Sequence, residues 1–271
     1  MDRSDPLAVA KDLAVRAGKV CLRHFGHTTA TVKPDRSIVT QADVAAQRVI
    51  EKGLREAFPG HRLLAEEETG GPRDLRRVSR SDYVWVVDPL DGTDGFHAGM
   101  PTWGVSIALV QGDLPVLGVF YVPVMKELYW AGEAGPACLG DREIRATAVD
   151  PFCEGSFLTV YSTFHHGYDI DFPTKLRSLG STVLHLCYVA RGSSCGAVVD
   201  GHAWDVAAGM HIVRRAGGVF RYLDGTPVRL RALYDGGELP QPGLAAPRRS
   251  WRAMRRFIEP RVRLGERVGS S

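Results

Sequence analysis

The chain has 271 residues, 44% hydrophobic and 24% charged, an ordinary globular balance with enough apolar residues for a substantial core. The formal charge of +3 is small for this length, and basic residues are interspersed with acidic ones, so a nucleic-acid polymer is not implied as a partner. No stretch approaches the roughly 18 apolar residues of a membrane span, and charges scattered through residues 1–20 exclude a signal peptide's apolar core. Cys21, Cys138, Cys153, Cys187 and Cys195 form no C-x-x-C pair and read as reduced thiols of a cytoplasmic protein.

In chain order, residues 6–25 have helical spacing of apolar positions, with Asp5-Pro6 as start and Gly26 as stop. A short extended or loop segment around Lys33-Pro34 precedes a second helix, 41–58, closed by Pro59-Gly60. Leu63-Leu64 reads as a short strand running into Glu66, Glu67 and Glu68. The β-branched and aromatic run Tyr83–Val87 is a buried strand, expected to end at Asp88. A β-meander follows with strands at 105–110, 116–121 and 127–130, and this helix-then-strand order implies an α+β layered architecture. From about 141 the pattern restarts, which suggests sub-domains 1–140 and 141–271 sharing one catalytic unit. The second half is expected to hold a strand at 156–161, a helix at 172–179, a helix after Gly180 and a strand at 196–200. A helix at 204–216 and a strand at 219–223 follow, then a Gly/Pro-rich surface loop at 234–250 and a terminal helix from Trp251.

The chemistry gathers at element ends. Asp88 and Asp91, where a hydrophobic strand meets Pro89 and Gly92, are costly unless something offsets their charge. Asp43 near a helix start, Glu66 and Glu67 after a strand, and Asp205 in a late helix's first turn supply further carboxylates. Hard divalent cations favour such oxygen sets, with the Leu90 carbonyl as an added donor. Gly92 allows close backbone approach to a phosphate, and a nascent helix N-terminus at Thr93 presents free N–H groups. Each feature alone has a blander reading: a D-x-x-D on a solvated turn, an acidic patch, a helix cap at Asp205.

The segments WVVDPLDGT…VSIAL (85–109) and WDVAAGMHIVRRAGG (204–218), with IVTQAD (38–43) and AEE (65–67) in the same order, resemble the inositol monophosphatase family of magnesium-dependent, lithium-sensitive phosphatases. The resemblance implies a layered α/β/α/β/α sandwich of the inositol monophosphatase and fructose-1,6-bisphosphatase type, a homodimer, and two or three Mg²⁺ ions per site. It implies Glu66, Asp88, the Leu90 carbonyl, Asp91 and Asp205 as metal ligands, with Glu67 supporting Glu66. Thr93, bonded to Asp43, would orient and help deprotonate a metal-activated water for in-line attack on a phosphomonoester. Gly92 and Thr93 would hold the phosphate, Gly180, Ser181 and Thr182 the substrate alcohol. Inositol monophosphate is the default substrate. Histidinol phosphate, a 3′(2′),5′-bisphosphate nucleotide, fructose bisphosphate and another cyclitol phosphate are alternatives.

Three departures from the family pattern stand out. Asp94-Gly95 follows D-G-T, Val198 stands where an inositol-binding Glu is usual with Asp200 as its candidate replacement, and Arg214-Arg215 opens the A-G-G block. A phosphoaspartate enzyme fits less well, because Asp88 and Asp91 are three apart where its D-x-D-G-T needs two. A non-catalytic binding descendant is disfavoured by the complete ligand set.

Overall fold

A computed structural model describes residues 5–27, 30–32, 38–67, 75, 78–148 and 152–261. Lys33-Pro34 and Glu68 lie outside the described residues. The chain starts with α1 (Pro6–His24), the hairpin β1 (Ala30–Val32) and β2 (Ile38–Thr40), and α2 (Gln41–Ala57). Next come β3 (Arg62–Ala65), β4 (Tyr83–Asp91), the short α3 (Thr93–His97), and β5 (Gly104–Gln111), β6 (Leu114–Val122), β7 (Glu127–Ala131), β8 (Ala137–Leu139) and β9 (Arg142–Ile144). The second half has β10 (Phe157–Val160), β11 (Tyr168–Ile170), β12 (Lys175–Arg177), α4 (Thr182–Ala190), β13 (Gly196–Val199) and α5 (Ala203–Arg215). It ends with β14 (Gly218–Tyr222), β15 (Gly243–Pro247), α6 (Trp251–Arg255) and β16 (Ile258–Pro260).

Strands β3 to β9 form one sheet in sequence order, with β3 parallel to β4 and the rest antiparallel. A second sheet has the order β12-β10-β13-β15-β14. The strand period of two decides what each face covers. On β4, Trp85 and Val87 pack with α1 and α2, while Val84 and Val86 face α4 and α5. On β13, Ala197 and Val199 face those same helices, while Val198 turns to the third cluster, with Met254 of α6. The layers therefore run helices, sheet, helices, sheet, helix: the expected α/β/α/β/α sandwich.

Three sequence expectations are corrected. First, β4 does not stop at Val87. It continues to Asp91 through an irregularity between Asp88 and Asp91, where Asp91 pairs opposite Gly104. Pro89 fits there because a bulge needs no ladder donor from it. Second, 172–179 is not a helix, since β12 pairs in parallel with β10. Third, the loop expected at 234–250 contains β15, which lies between β13 and β14 and is buried throughout. Strands β8 and β9 extend the first sheet beyond the expected meander.

Candidate metal-phosphate site

The site forms where the irregular end of β4 meets the N-termini of α4 and α5. Asp88, Asp91 and Asp205 each offer a carboxylate oxygen, all within 4.8 Å of one another. Asp88 and Asp91 are buried and Asp205 is half-buried. Burial pushes the Asp88 carboxyl well above its usual range, reinforced by the charges of Glu66, Asp91 and Asp205. Burial likewise raises Asp91, to about 7, against the opposing effect of its hydrogen bonds. Carboxylates forced together in this way form an all-oxygen donor set suited to a hard divalent cation, whose charge would relieve their repulsion.

Each acid is locally fixed. Asp88 accepts from the Leu90 N–H at 2.9 Å. Asp91 is held by the start of α4: the Ser181 hydroxyl donates to it, as do the Thr182 and Val183 N–H groups at 3.0 and 2.9 Å. Ser181 also caps α4 by accepting from the Leu184 N–H at 3.1 Å. Asp205 closes the first turn of α5, accepting from the His202 N–H at 2.6 Å, and the His202 ring stacks on Trp204. Glu66 follows β3, its N–H donating to the Val87 carbonyl at 3.1 Å. The backbone of Glu67 is clamped by the Gln47 side chain of α2, through contacts of 2.9 and 2.7 Å.

Beside this cluster, the Thr93 hydroxyl lies 3.1 Å from the Asp43 carboxylate and 3.0 Å from the Leu90 carbonyl. Asp43 is in turn fixed by the capping box of α2, where Thr40 donates its N–H at 2.8 Å and its hydroxyl at 2.5 Å. Burial raises the Asp43 carboxyl, and its hydrogen bonds from Thr40 and Thr93 oppose that shift. Gly92 adopts φ 95°, the left-handed region that favours glycine. A Cβ there would lie 3.1 Å from the Thr102 carbonyl oxygen and 3.2 Å from that of Gly180. The glycine thus lets the β4–α3 turn pass tightly against the segment before α4.

A cavity of about 280 Å³ is lined by Tyr161, Ser162, Thr163, Gly180, Thr182, His185, Asp200, Gly201 and Glu238. It adjoins the carboxylates, because Thr182 bonds Asp91, and a Cβ on Gly201 would collide with Asp205. Gly180, Thr182 and Asp200, all expected at the substrate alcohol, line it. Ser181, expected there too, is fully buried with its hydroxyl turned to Asp91. Asp94 and His97 are exposed on α3. The sequence pattern does not single out Glu238 at this cavity. Glu238 arrives through pairing of the 238–239 segment with 201–202, which no local pattern announces.

The profile of the inositol monophosphatase family matches residues 2–264. The chain is 37% identical over 243 residues to the inositol-1-monophosphatase of Mesorhizobium japonicum, covering 83% of this chain and 88% of that one. It is 32% identical over 233 residues to the Nus factor SuhB of Pasteurella multocida, covering 79% and 83%. Among solved structures, the Thermotoga maritima IMPase superposes with a TM-score of 0.77 at 26% identity, covering 95% of this chain and 96% of that one. The extragenic suppressor protein suhB of Bartonella henselae gives 0.76 at 26% identity, with 96% and 98% coverage. Family profile, sequence relatives and fold agree with the carboxylate cluster: this chain belongs to the inositol monophosphatase family and is a phosphomonoester hydrolase.

Proposed function

We propose that this chain is a Mg²⁺-dependent phosphomonoesterase acting on a small phosphorylated alcohol, with inositol monophosphate as the default substrate. The observation that carries this reading is the convergence of Asp88, Asp91 and Asp205 oxygens within 4.8 Å, next to the Thr93–Asp43 pair. Glu66, Asp88, the Leu90 carbonyl, Asp91 and Asp205 would hold two or three Mg²⁺ ions, with Glu67 steadying the Glu66 segment. When bound, such ions supply Lewis acidity, neutralising phosphate charge and acidifying water. Thr93 orients the attacking water and passes its proton toward Asp43, whose capping contacts keep the acceptor oriented. The Gly92 and Thr93 N–H groups at the start of α3 hold the phosphate. Attack is in line, on the face opposite the leaving alcohol, which sits in the adjoining cavity.

Lithium sensitivity, a homodimer, a cytoplasmic location and two sub-domains, 1–140 and 141–271, belong to the same reading and rest on the family resemblance and the sequence. No described helix is long and apolar enough to cross a membrane. The test is phosphate release from cyclitol, sugar, amino-alcohol and nucleotide phosphates with Mg²⁺, with and without Li⁺. Mg²⁺-dependent release from at least one, suppressed by Li⁺, is expected. No release from any of them overturns the reading.

A further inference from the structure

The arginines near the end of the chain take no part in the site described above. Arg248, Arg249, Arg252, Arg255 and Arg256 follow β15 closely, on and around α6, and no acid lies between them. Strand alternation brings Arg221 to the same surface. On β14, Phe220 and Tyr222 pack toward α4 and α5, so Val219 and Arg221 face the opposite side, where Met254 of α6 packs on the sheet. The second sheet thus lies between this surface and the helices that carry the carboxylate site.

A cavity of about 410 Å³ opens there, walled by Arg221, Arg248, Arg252, Asp224 and Trp251. That volume falls within the range of about 300–1,000 Å³ usual for small-molecule sites. Arg221 donates from Nη1 to the Gly225 carbonyl at 2.9 Å, which fixes the guanidinium and leaves its other N–H groups uncommitted. Among the described residues no carboxylate forms an ion pair with Arg221, Arg248 or Arg252. Asp224, the acid in this wall, is committed elsewhere. Its Oδ1 accepts from the Thr226 N–H and hydroxyl at 2.7 and 2.6 Å, and its Oδ2 from the Gln241 side chain at 2.7 Å. Guanidiniums gathered around one hollow repel one another until an anion enters, and their planar forks match phosphate oxygens. Trp251 adds an independent observation. Its indole N–H donates to the Leu244 carbonyl at 2.9 Å, which anchors the half-buried ring in the cavity wall. With its one polar atom satisfied, the ring offers the cavity only π surface, which suits a planar aromatic ligand.

We infer that this cavity binds a nucleoside polyphosphate, with its phosphates on Arg221, Arg248 and Arg252 and its base against Trp251. The binding stands apart from phosphate-ester hydrolysis and does not depend on Mg²⁺, because guanidiniums supply the positive charge. The bounded volume and the small overall charge of the chain favour a single nucleotide over a nucleic-acid strand.

Calorimetry on the full chain tests this, with Mg²⁺ and again with a chelator. The probes are the β,γ-imido analogues of ATP and GTP, tripolyphosphate, ribose 5-phosphate and a single-stranded RNA oligonucleotide. At least one nucleotide analogue should bind in both conditions, roughly tenfold or more tighter than tripolyphosphate, and more weakly as salt is added. The double variant Arg221→Gln/Arg252→Gln, both positions being exposed, should weaken that binding roughly tenfold or more while hydrolysis of myo-inositol 1-phosphate is unchanged. Binding should quench tryptophan fluorescence, and the quench should disappear in Trp251→Phe, with thermal melts checking that each variant folds. Three results overturn the inference: no binding of either analogue, affinity no better than that of tripolyphosphate, or affinity unmoved by the arginine variant. An RNA oligonucleotide that binds more tightly than either analogue overturns the assignment to a single nucleotide. Loss of myo-inositol 1-phosphate hydrolysis bears on the phosphatase reading alone.

Discussion

At the scale of single residues, the Asp43 and Asp91 carboxylates receive hydrogen bonds from the Thr93 and Ser181 hydroxyls respectively. Thr93 shares one hydroxyl between Asp43 and the Leu90 carbonyl, so under the proposed mechanism Thr93→Ala removes the route for the proton while leaving the cluster of acids in place. A fall in kcat on the order of 10²-fold or more, with little change in KM, is expected in steady-state assays. Ser181 acts through Asp91. Ser181→Ala loses both the bond to Asp91 and the α4 cap. Mg²⁺ titrations should show roughly 10–100-fold weaker activation, and melts a stability loss of about 1 kcal/mol. A Mg²⁺ requirement equal to that of the unaltered enzyme would show that Asp91 needs no such support.

At the scale of elements, the turn between β4 and α3 passes close to neighbouring backbone. Gly92→Ala places a β-carbon 3.1 Å from the Thr102 carbonyl in a left-handed backbone, and a loss of about 1–3 kcal/mol should appear in denaturant unfolding. Elements with strong periodicity were legible in the sequence. For α1, α2 and α5 the apolar stripe and caps marked type and ends, and β4 to β7 announced themselves by β-branched or aromatic residues between turn signals. The D-P-L-D-G-T turn was legible because its acids follow an apolar strand. What failed had physical reasons. β12 is a three-residue edge strand, wholly exposed, with no buried face to impose alternation. β15 is buried on both sides yet built from Gly243, Leu244, Ala245, Ala246 and Pro247, because the Phe220 ring leaves no room for more at Gly243. Small residues there look like a loop. Misreading β15 also hid Glu238, since the chain returning to that strand passes the cavity.

At the scale of the whole molecule, the site couples stability to protons and to metal. In the metal-free fold Asp91 titrates at about 7 and Asp88 is raised as well, whereas unfolded carboxyls titrate at about 4. Between those values the folded state holds more protons than the unfolded one, so stability falls as pH rises from about 4 through about 7. Metal-free protein in a chelator should therefore melt at a lower temperature at pH 8 than at pH 5.5. Added Mg²⁺ should raise the melting temperature more at pH 8, by roughly 2–4 °C for each 1 kcal/mol of linkage. Equal melting at both pH values without metal would remove the charge cluster as a cost to the fold.

The attachment of Asp91 to the start of α4 also has a temporal meaning. A chain emerging from the ribosome completes β4, with Asp88 and Asp91, long before α4 and α5 exist. Until Ser181 and Asp205 are synthesised and docked, those acids lack both their anchor and their third partner. A nascent or truncated form ending before α5 would thus be inert toward phosphoesters, and hydrolytic activity would first appear only when the late layer of helices closes over the early sheet.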